Sequence, residues 1–484
     1  MDFTLIDSPA KMLVAGEWVE TDERQDVIDP TTGQAFQSVP VASQEHIDRA
    51  VAAARQAQAE WRTRTYTERA EVLERCVQLF EEHREEIAQI VTQEQGKPLA
   101  ESRGEVGGAQ AFFNYAISQK WRVDGQVMAS NWHRQRLMSV DEPVGVVAAI
   151  IPWNFPSAIF GRKAGPALMA GNAIIIKPSS ETPLTSLAMA KLCLEAGLPK
   201  GLMSVLTGPG SRIGNALVTH PGTDMITVTG STRAGKQILA AAADKLIPVS
   251  LELGGKAPFI IFDDADLDIA VQDAADARLM NCGQVCTCNE RLFVQRGVAD
   301  EVIARLAEKF REVRIGLPTE EGTTMGPKVS GSERDKVREY VESAVASGAK
   351  IEVGGLDVPQ GVPSGGYWVQ PTLLTNVTND MEIAQHEVFG PILPVVVFDD
   401  YDQVVAWANS TQYGLTSYAY TSDLNTAMRI TQDLEFGEVY VNQQGPETVQ
   451  GFHTGWKASG LGGDDGPNGF EKYLRKKTLY INYR

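Results

Sequence analysis

Between residues 145 and 253 the chain alternates short, nearly uninterrupted apolar runs with longer helical stretches, and few folds accept that pattern. GVVAAII (145–151), AIII (173–176), MSVL (203–206), MITVT (225–229) and PVSLEL (248–253) are short enough for strands. They are apolar on both faces, as strands of a parallel sheet covered by helices must be. Helical stretches around Ala164, over 184–196, around Ile213 and over 235–243 lie between them, so the repeat reads as βαβ units. A second series follows Gly255, with FIIF, RLFVQ, PVVVF and EVYVN separated by helical stretches around Val271, Ala304, Tyr340 and Val404. The expected fold class is therefore α/β, with two Rossmann-like parallel-sheet halves meeting near Glu252. A cleft between such halves is a natural place for chemistry.

Upstream, residues 42–60 and 67–94 carry helical periodicity, whereas 134–140 and 477–482 look like exposed strands that pairing between subunits would protect. At 484 residues the chain exceeds one ordinary core, so two or three domains are expected. The formal charge of −18 repels phosphate backbones and argues against nucleic-acid binding. No apolar run reaches the length of a membrane span, and the first residues lack the pattern of a secretory leader. Five cysteines, an odd and sparse set in a long chain, do not look like a disulfide framework, and a reducing cytoplasm is the expected setting.

Chemistry concentrates in a few segments. Cys286 ends GQVC (283–286), and Glu252 lies in LELGGK (251–256). A thiolate and a carboxylate together can capture a carbonyl covalently and hydrolyse the adduct. A lone cysteine is more often a small buried hydrophobe, but Gly283 before Cys286 and Asn289 after it suggest a turn, not a packed helix. Cys282, Cys286 and Cys288 cluster, but no histidine nearby completes a four-ligand set, so no metal is expected. Glu252 closes an apolar strand and must be solvated, paired, for instance with Lys256, or functional as a base whose pKa burial raises. Asn154, in IIPWNFP (150–156), either donates to an oxyanion in a dry pocket or stabilises an Asx-type turn.

Lys177 precedes Pro178, Ser179 and Ser180 at the carboxyl end of a strand, a position that suits a nucleotide ribose or phosphate; a solvated loop lysine is the other reading. Two glycine segments compete for phosphates. GPGSRIG (208–214) is one residue too long for the usual dinucleotide fingerprint. GSTRAG (230–235) follows a strand and opens a helix whose amides could receive a pyrophosphate, although capping by Ser231 explains it as well.

In order along the chain, IIPWNFP, AGNAIIIKPSSETP, TGSTRAG, LELGGKAP, GQVC and EVFGPILP together resemble the aldehyde dehydrogenase superfamily. The resemblance implies Cys286 as nucleophile, Glu252 as general base, and Asn154 with the Cys286 amide as oxyanion donors. It also implies NAD, with NADP possible, as cofactor. Lys177 would hold the adenosine ribose, Ser231 the pyrophosphate, and Glu387 beside Phe389 the nicotinamide ribose. Ile151, Pro152, Trp153, Ser180, Gly210, Gly230 and Leu253 would supply further cofactor contacts.

By the same resemblance, residues 1–120 and 143–253 form the cofactor-binding domain and 254–465 the catalytic domain. Residues 121–142 and 466–484 form a small β oligomerisation arm of a homodimer or homotetramer.

Within the superfamily, QGFHTGW (450–456), the preceding Glu447 and FGRK (160–163) are most similar to bacterial lactaldehyde/glycolaldehyde dehydrogenases. Arg162, Glu447 and His453 would then contact a small hydroxyaldehyde. Thr287 departs from that group's asparagine, and Ser180 from the glutamate of strictly NAD-dependent relatives. A carboxylate at position 180 would repel a 2′-phosphate, and serine removes that repulsion. The expected function is NAD(P)-dependent oxidation of a small aldehyde to its acid. Succinate semialdehyde oxidation is an alternative, because Arg162 suits a distal carboxylate. A coenzyme-A-acylating enzyme and a non-catalytic binding or structural protein on the same fold are further alternatives.

Overall fold

The computed structural model describes residues 3–445 and 447–484; Met1, Asp2 and Pro446, which fall in the expected domain ranges, lie outside them. An eight-stranded sheet runs in the order Glu17–Val19, Met12–Val14, Met203–Val205, Ala173–Pro178, Val146–Ile151, Met225–Thr229, Val249–Glu252, Gly460–Leu461. Its five central strands are parallel, and antiparallel partners close both edges. The helices Pro156–Met169 and Pro183–Glu195 connect central strands. Ala173 to Ile176 are fully buried, which is why that run carries no polar alternation. The strand order reverses between Val146–Ile151 and Met225–Thr229. A crevice opens beyond the carboxyl ends of strands at such a point.

A second, seven-stranded sheet runs Lys350–Val353, Thr372–Thr375, Ile392–Phe398, Asn289–Gln295, Ala257–Ile261, Thr416–Tyr420, Glu438–Val441, parallel except at the first strand. Two of these strands carry no clear sequence signal. Thr416–Tyr420 reads TSYAY, with no aliphatic run. It is buried because its hydroxyls find acceptors, Thr416 on Thr287 O at 3.0 Å and Ser417 on Glu438 O at 3.1 Å. Thr372–Thr375 is short and flanked by threonines.

The helical pattern over 67–94 divides into Tyr66–Glu82 and Arg84–Gln95, because His83 leaves helical geometry at φ −103° and ψ 16°. Neither glycine nor proline marks that break. The two outlying segments pair with each other: Leu474–Asn482 lies antiparallel along the whole of Gln135–Pro143, and Gln126–Met128 adds a third strand. Gly460–Leu461, late in the chain, returns to the first sheet beside Val249–Glu252. No helix among the described residues is long and apolar enough to cross a membrane.

Candidate active site

After the helix Leu267–Leu279 the chain makes a tight left-handed turn, with φ of 49° at Asn281, 56° at Cys282 and 68° at Gly283. A Cβ on Gly283 would lie 2.3 Å from the backbone of Gly390, so this position admits glycine alone. The turn is fastened from outside: Asn281 N donates to Glu101 at 2.9 Å, and Gln95 Nε2 donates to Asn281 Oδ1 at 2.9 Å. It presents Cys286, half-buried, to a cleft, while Cys282 and Cys288 are buried and their thiols are pushed up to about 12 by desolvation. Only Cys286 of the three faces that cleft. Among the described residues no group of three His, Cys, Asp or Glu side chains converges as a metal site.

Asn154 follows the central strand Val146–Ile151 and borders the same cleft. Its Nδ2 donates to Gln284 O at 3.1 Å, which leaves the second N–H of the amide uncommitted. Lys97 Nζ at 2.7 Å and Asn281 Nδ2 at 2.9 Å both donate to its backbone carbonyl. The side chain therefore reaches across to the Cys286 loop and caps no local turn, contrary to the Asx-turn reading.

Glu252 ends the strand Val249–Glu252, and both carboxylate oxygens are buried without a hydrogen-bond partner. The salt bridge to Lys256 does not form, because Lys256 pairs with Glu290 at 2.7 Å. Burial lifts the Glu252 pKa to about 8, with Asp464 adding to the rise and His453, Lys163 and Lys472 opposing it. His453 Nε2 lies 3.7 Å from Glu252, and its Nδ1 lies 3.3 Å from Glu438.

The cleft continues from Cys286 to the strand-order reversal, lined by Pro152, Trp153, Gly230, Ser231, Leu253, Glu387 and Phe389. Ser231 caps the helix Thr232–Ala242 by accepting from Ala234 N at 3.2 Å. Gly230, directly after the strand Met225–Thr229, has open space where a Cβ would stand. Glu387 accepts from Gly255 N at 2.8 Å, and burial raises its pKa to about 7. Trp153 and Phe389 meet edge to face at 5.4 Å.

Further along the sheet, the Lys177 amine is buried with Pro178 O as its acceptor, and desolvation lowers its pKa to about 8. Ser180 donates to Gly208 O at 3.2 Å, and Gly210 begins a short helical turn with open space at its Cβ position. Ile151 is buried in the sheet and is not among the residues that line the cleft. An underused buried ammonium, two open glycines and a capped helix start on one crevice fit a dinucleotide.

The comparisons with known proteins agree with that constellation. Residues 18–479 match the aldehyde dehydrogenase family. The chain belongs to the aldehyde dehydrogenase family. It is 55% identical to 3,6-anhydro-alpha-L-galactose dehydrogenase of Streptomyces coelicolor, over 99% of this chain and 98% of that one. It is 39% identical to lactaldehyde dehydrogenase of Escherichia coli, over 97% and 98%. A solved structure of 3,6-anhydro-L-galactose dehydrogenase in complex with NAP superposes with a TM-score of 0.95 at 43% identity, over 98% of this chain and 99% of that one. The chain is an NAD(P)-dependent aldehyde dehydrogenase. The lactaldehyde likeness holds, but proteins named for anhydrogalactose are more similar.

On the other side of Cys286 the dehydrogenase gathers charge. Arg162, buried on the helix Pro156–Met169, pairs with both Glu447 and Asp465, the latter at 2.9 Å, and lies over the Phe112 ring at 4.5 Å. Despite burial, Arg162 and His453 hold the Glu447 pKa down to about 2. Burial wins at Asp465, whose pKa rises to about 7 against the pull of Arg162.

Asp465 and Glu438 border this site without any warning in the sequence. On the cofactor side of the cleft Glu290, also passed over, binds Lys256 and Arg278 and accepts from Val388 N and Phe389 N at 3.0 Å each, fixing the Glu387 segment. A buried carboxylate within an apolar strand, as in NERLFVQ, was the available signal.

Proposed function

We propose that this dehydrogenase oxidises a small polyhydroxylated aldehyde, of the 3,6-anhydro-L-galactose kind, to its carboxylic acid. The observation that carries the reading is the state of Arg162. Its guanidinium already holds two carboxylates, so a semialdehyde with its own distal carboxylate would have to displace one of them. Glu447, Asp465 and His453 instead offer acceptors and a donor suited to hydroxyls. This favours a hydroxyaldehyde over succinate semialdehyde. The Streptomyces relative's name extends the same chemistry from lactaldehyde and glycolaldehyde to a larger, ring-containing substrate.

In this reading the Cys286 sulfur attacks the carbonyl carbon. The uncommitted Asn154 N–H and the Cys286 backbone N–H receive the oxyanion; removing one such donor costs about 2.7–4 kcal/mol of barrier. The nicotinamide, when bound, supplies the hydride acceptor. Glu252 then takes a proton from the water that hydrolyses the thioester, in a setting dry enough to keep its basicity high. A carboxylate at this position favours water over a coenzyme A thiol.

Lys177, Ser231 and Glu387 would hold the dinucleotide at its adenosine ribose, pyrophosphate and nicotinamide ribose. Ser180 places a neutral hydroxyl, turned to Gly208 O, where a carboxylate would repel a 2′-phosphate, which supports use of both NAD and NADP. The exposed Trp121, Val127, Trp132 and Tyr480 on and beside the three-stranded arm support its burial in a homo-oligomer.

A kcat/KM survey of 3,6-anhydro-L-galactose, lactaldehyde, glycolaldehyde and succinate semialdehyde, each with NAD and NADP, tests the assignment. The hydroxyaldehydes are expected to lead. Preference for succinate semialdehyde would overturn it.

A further inference from the structure

Asp465 holds its backbone at φ 61° and ψ 171°, a conformation that glycine adopts and other residues almost never do. It stands directly before the helix Gly466–Glu471, where an aspartate ordinarily accepts from the first amides, yet its side chain caps nothing. The carboxylate turns instead to Arg162, with Oδ2 at 2.9 Å from Nη2. That approach is an ion pair without hydrogen-bond alignment: Asp465 Oδ2 and Arg162 Nε are both buried and neither has a hydrogen-bond partner. Arg162 is 6% exposed and Asp465 8%. Leaving a donor and an acceptor bare in a dry interior is costly, and the strained backbone adds to that cost.

Both residues line a cavity of about 260 Å³ whose other walls include Phe112, Tyr115, Pro166 and Phe470. Largely apolar walls with one donor and one acceptor suit a ring that carries a hydroxyl. The C–H faces of such a ring lie against the aromatic side chains, while the hydroxyl donates to Asp465 Oδ2 and accepts from Arg162 Nε. Nη2 and Nε belong to one planar guanidinium, and Nη2 already lies 2.9 Å from Oδ2, so a single hydroxyl can reach both bare atoms. The cavity is tied to the segment that carries Glu447: Gly466 N donates to Val449 O at 3.0 Å, and Arg162 pairs with Glu447 itself.

We propose that this cavity is the subsite for the end of the aldehyde remote from its carbonyl, and that Asp465 selects a ring hydroxyl there. The proposal rests on the reading of the substrate as a polyhydroxylated aldehyde, and it gives that substrate a direction. The carbonyl carbon lies at Cys286, the hydroxyls nearest it face Glu447 and His453, and the ring lies beyond Arg162 against Phe112 and Phe470. A bound hydroxyl satisfies both bare atoms at once, which is a reason for the chain to keep a strained aspartate. Neutralising Arg162 would require neither that conformation nor that cavity, since Glu447 already pairs with the guanidinium.

The test uses the full chain with its nicotinamide cofactor and reads two quantities. One is the ratio of kcat/KM for 3,6-anhydro-L-galactose to that for propanal, which has no hydroxyl. The other is the Ki of 3,6-anhydro-L-galactitol, the corresponding alcohol, as a competitive inhibitor of propanal oxidation. Asp465→Gly should lower the ratio and raise the Ki by about tenfold or more. Glycine is at home in this backbone conformation, so the variant keeps the fold while losing the carboxylate. Asp465→Asn, which retains an acceptor oxygen, should recover part of the loss and reads the same quantities should the glycine variant fold poorly. A parental ratio and Ki in both variants would overturn the proposal, and so would a loss that propanal shares equally. A parent protein that neither oxidises the anhydrosugar nor binds its alcohol would remove the reading beneath the proposal, an outcome visible before any substitution is made.

Discussion

Lys97 Nζ donates to the backbone carbonyl of Asn154 at 2.7 Å while paired with Glu105 at 2.5 Å, and both side chains are fully inaccessible to solvent. The oxyanion donor is thus anchored to a buried ion pair on a different part of the chain. Glu105 also accepts from Ser157 N at 2.7 Å and so secures the start of the helix that carries Arg162. Removing one member of such a pair strands the other as an uncompensated charge. Lys97→Met should therefore lower stability to urea by about 3–5 kcal/mol. It should also reduce kcat more than it raises KM, because Asn154 loses its support. A stability loss no larger than that of an exposed lysine would contradict this account.

Gly283 packs against the backbone of Gly390 at φ 68°. Gly283→Ala adds both a clash and a strained backbone, so oxidation should fall steeply and Cys286 should lose its alignment with Asn154. Thermal unfolding and activity of the purified variant check this; parental values in both would show that the turn tolerates a side chain.

The Glu252 pKa, raised from 4.5 to about 8 by burial, has a consequence for stability as well as for turnover. Between those values the folded protein keeps a proton that the unfolded chain has released. The stabilising contribution is complete below pH 4.5 and is lost as pH rises through about 8. Glu252→Gln should flatten that part of the stability profile. The same variant should still give a first-turnover burst of reduced cofactor, followed by slow turnover that no longer rises with pH. Steady turnover at the wild-type rate would remove Glu252 as the hydrolytic base.

Arg162 neutralises Glu447 and Asp465 together. Arg162→Met should cost kcat/KM for hydroxyaldehydes by roughly tenfold or more, as expected for unpaired buried carboxylates, while simple alkanals change much less. Equal losses for both classes, measured side by side, would mean that Arg162 only supports the fold.

The α/β architecture was legible in apolar runs such as AIIIKP and MITVT, because a strand covered on both faces must be apolar throughout. Thr416–Tyr420 was not, since its burial depends on acceptors contributed by Thr287 and Glu438. Cys286, Glu252 and Asn154 stood out in their glycine- and proline-bounded segments. Their environment did not: Lys256 neighbours Glu252 in sequence yet serves Glu290.

By itself, the sequence determined which backbone elements form and which side chains have the right chemistry, since both follow from periodicity and residue type over a few positions. Tertiary structure alone decided that Lys97 grips Asn154, that Arg162 is shared by two carboxylates, and that His453 lies between Glu252 and Glu438. Those pairings join segments far apart along the chain, and a charge buried in a dry interior takes whichever partner packing brings within reach.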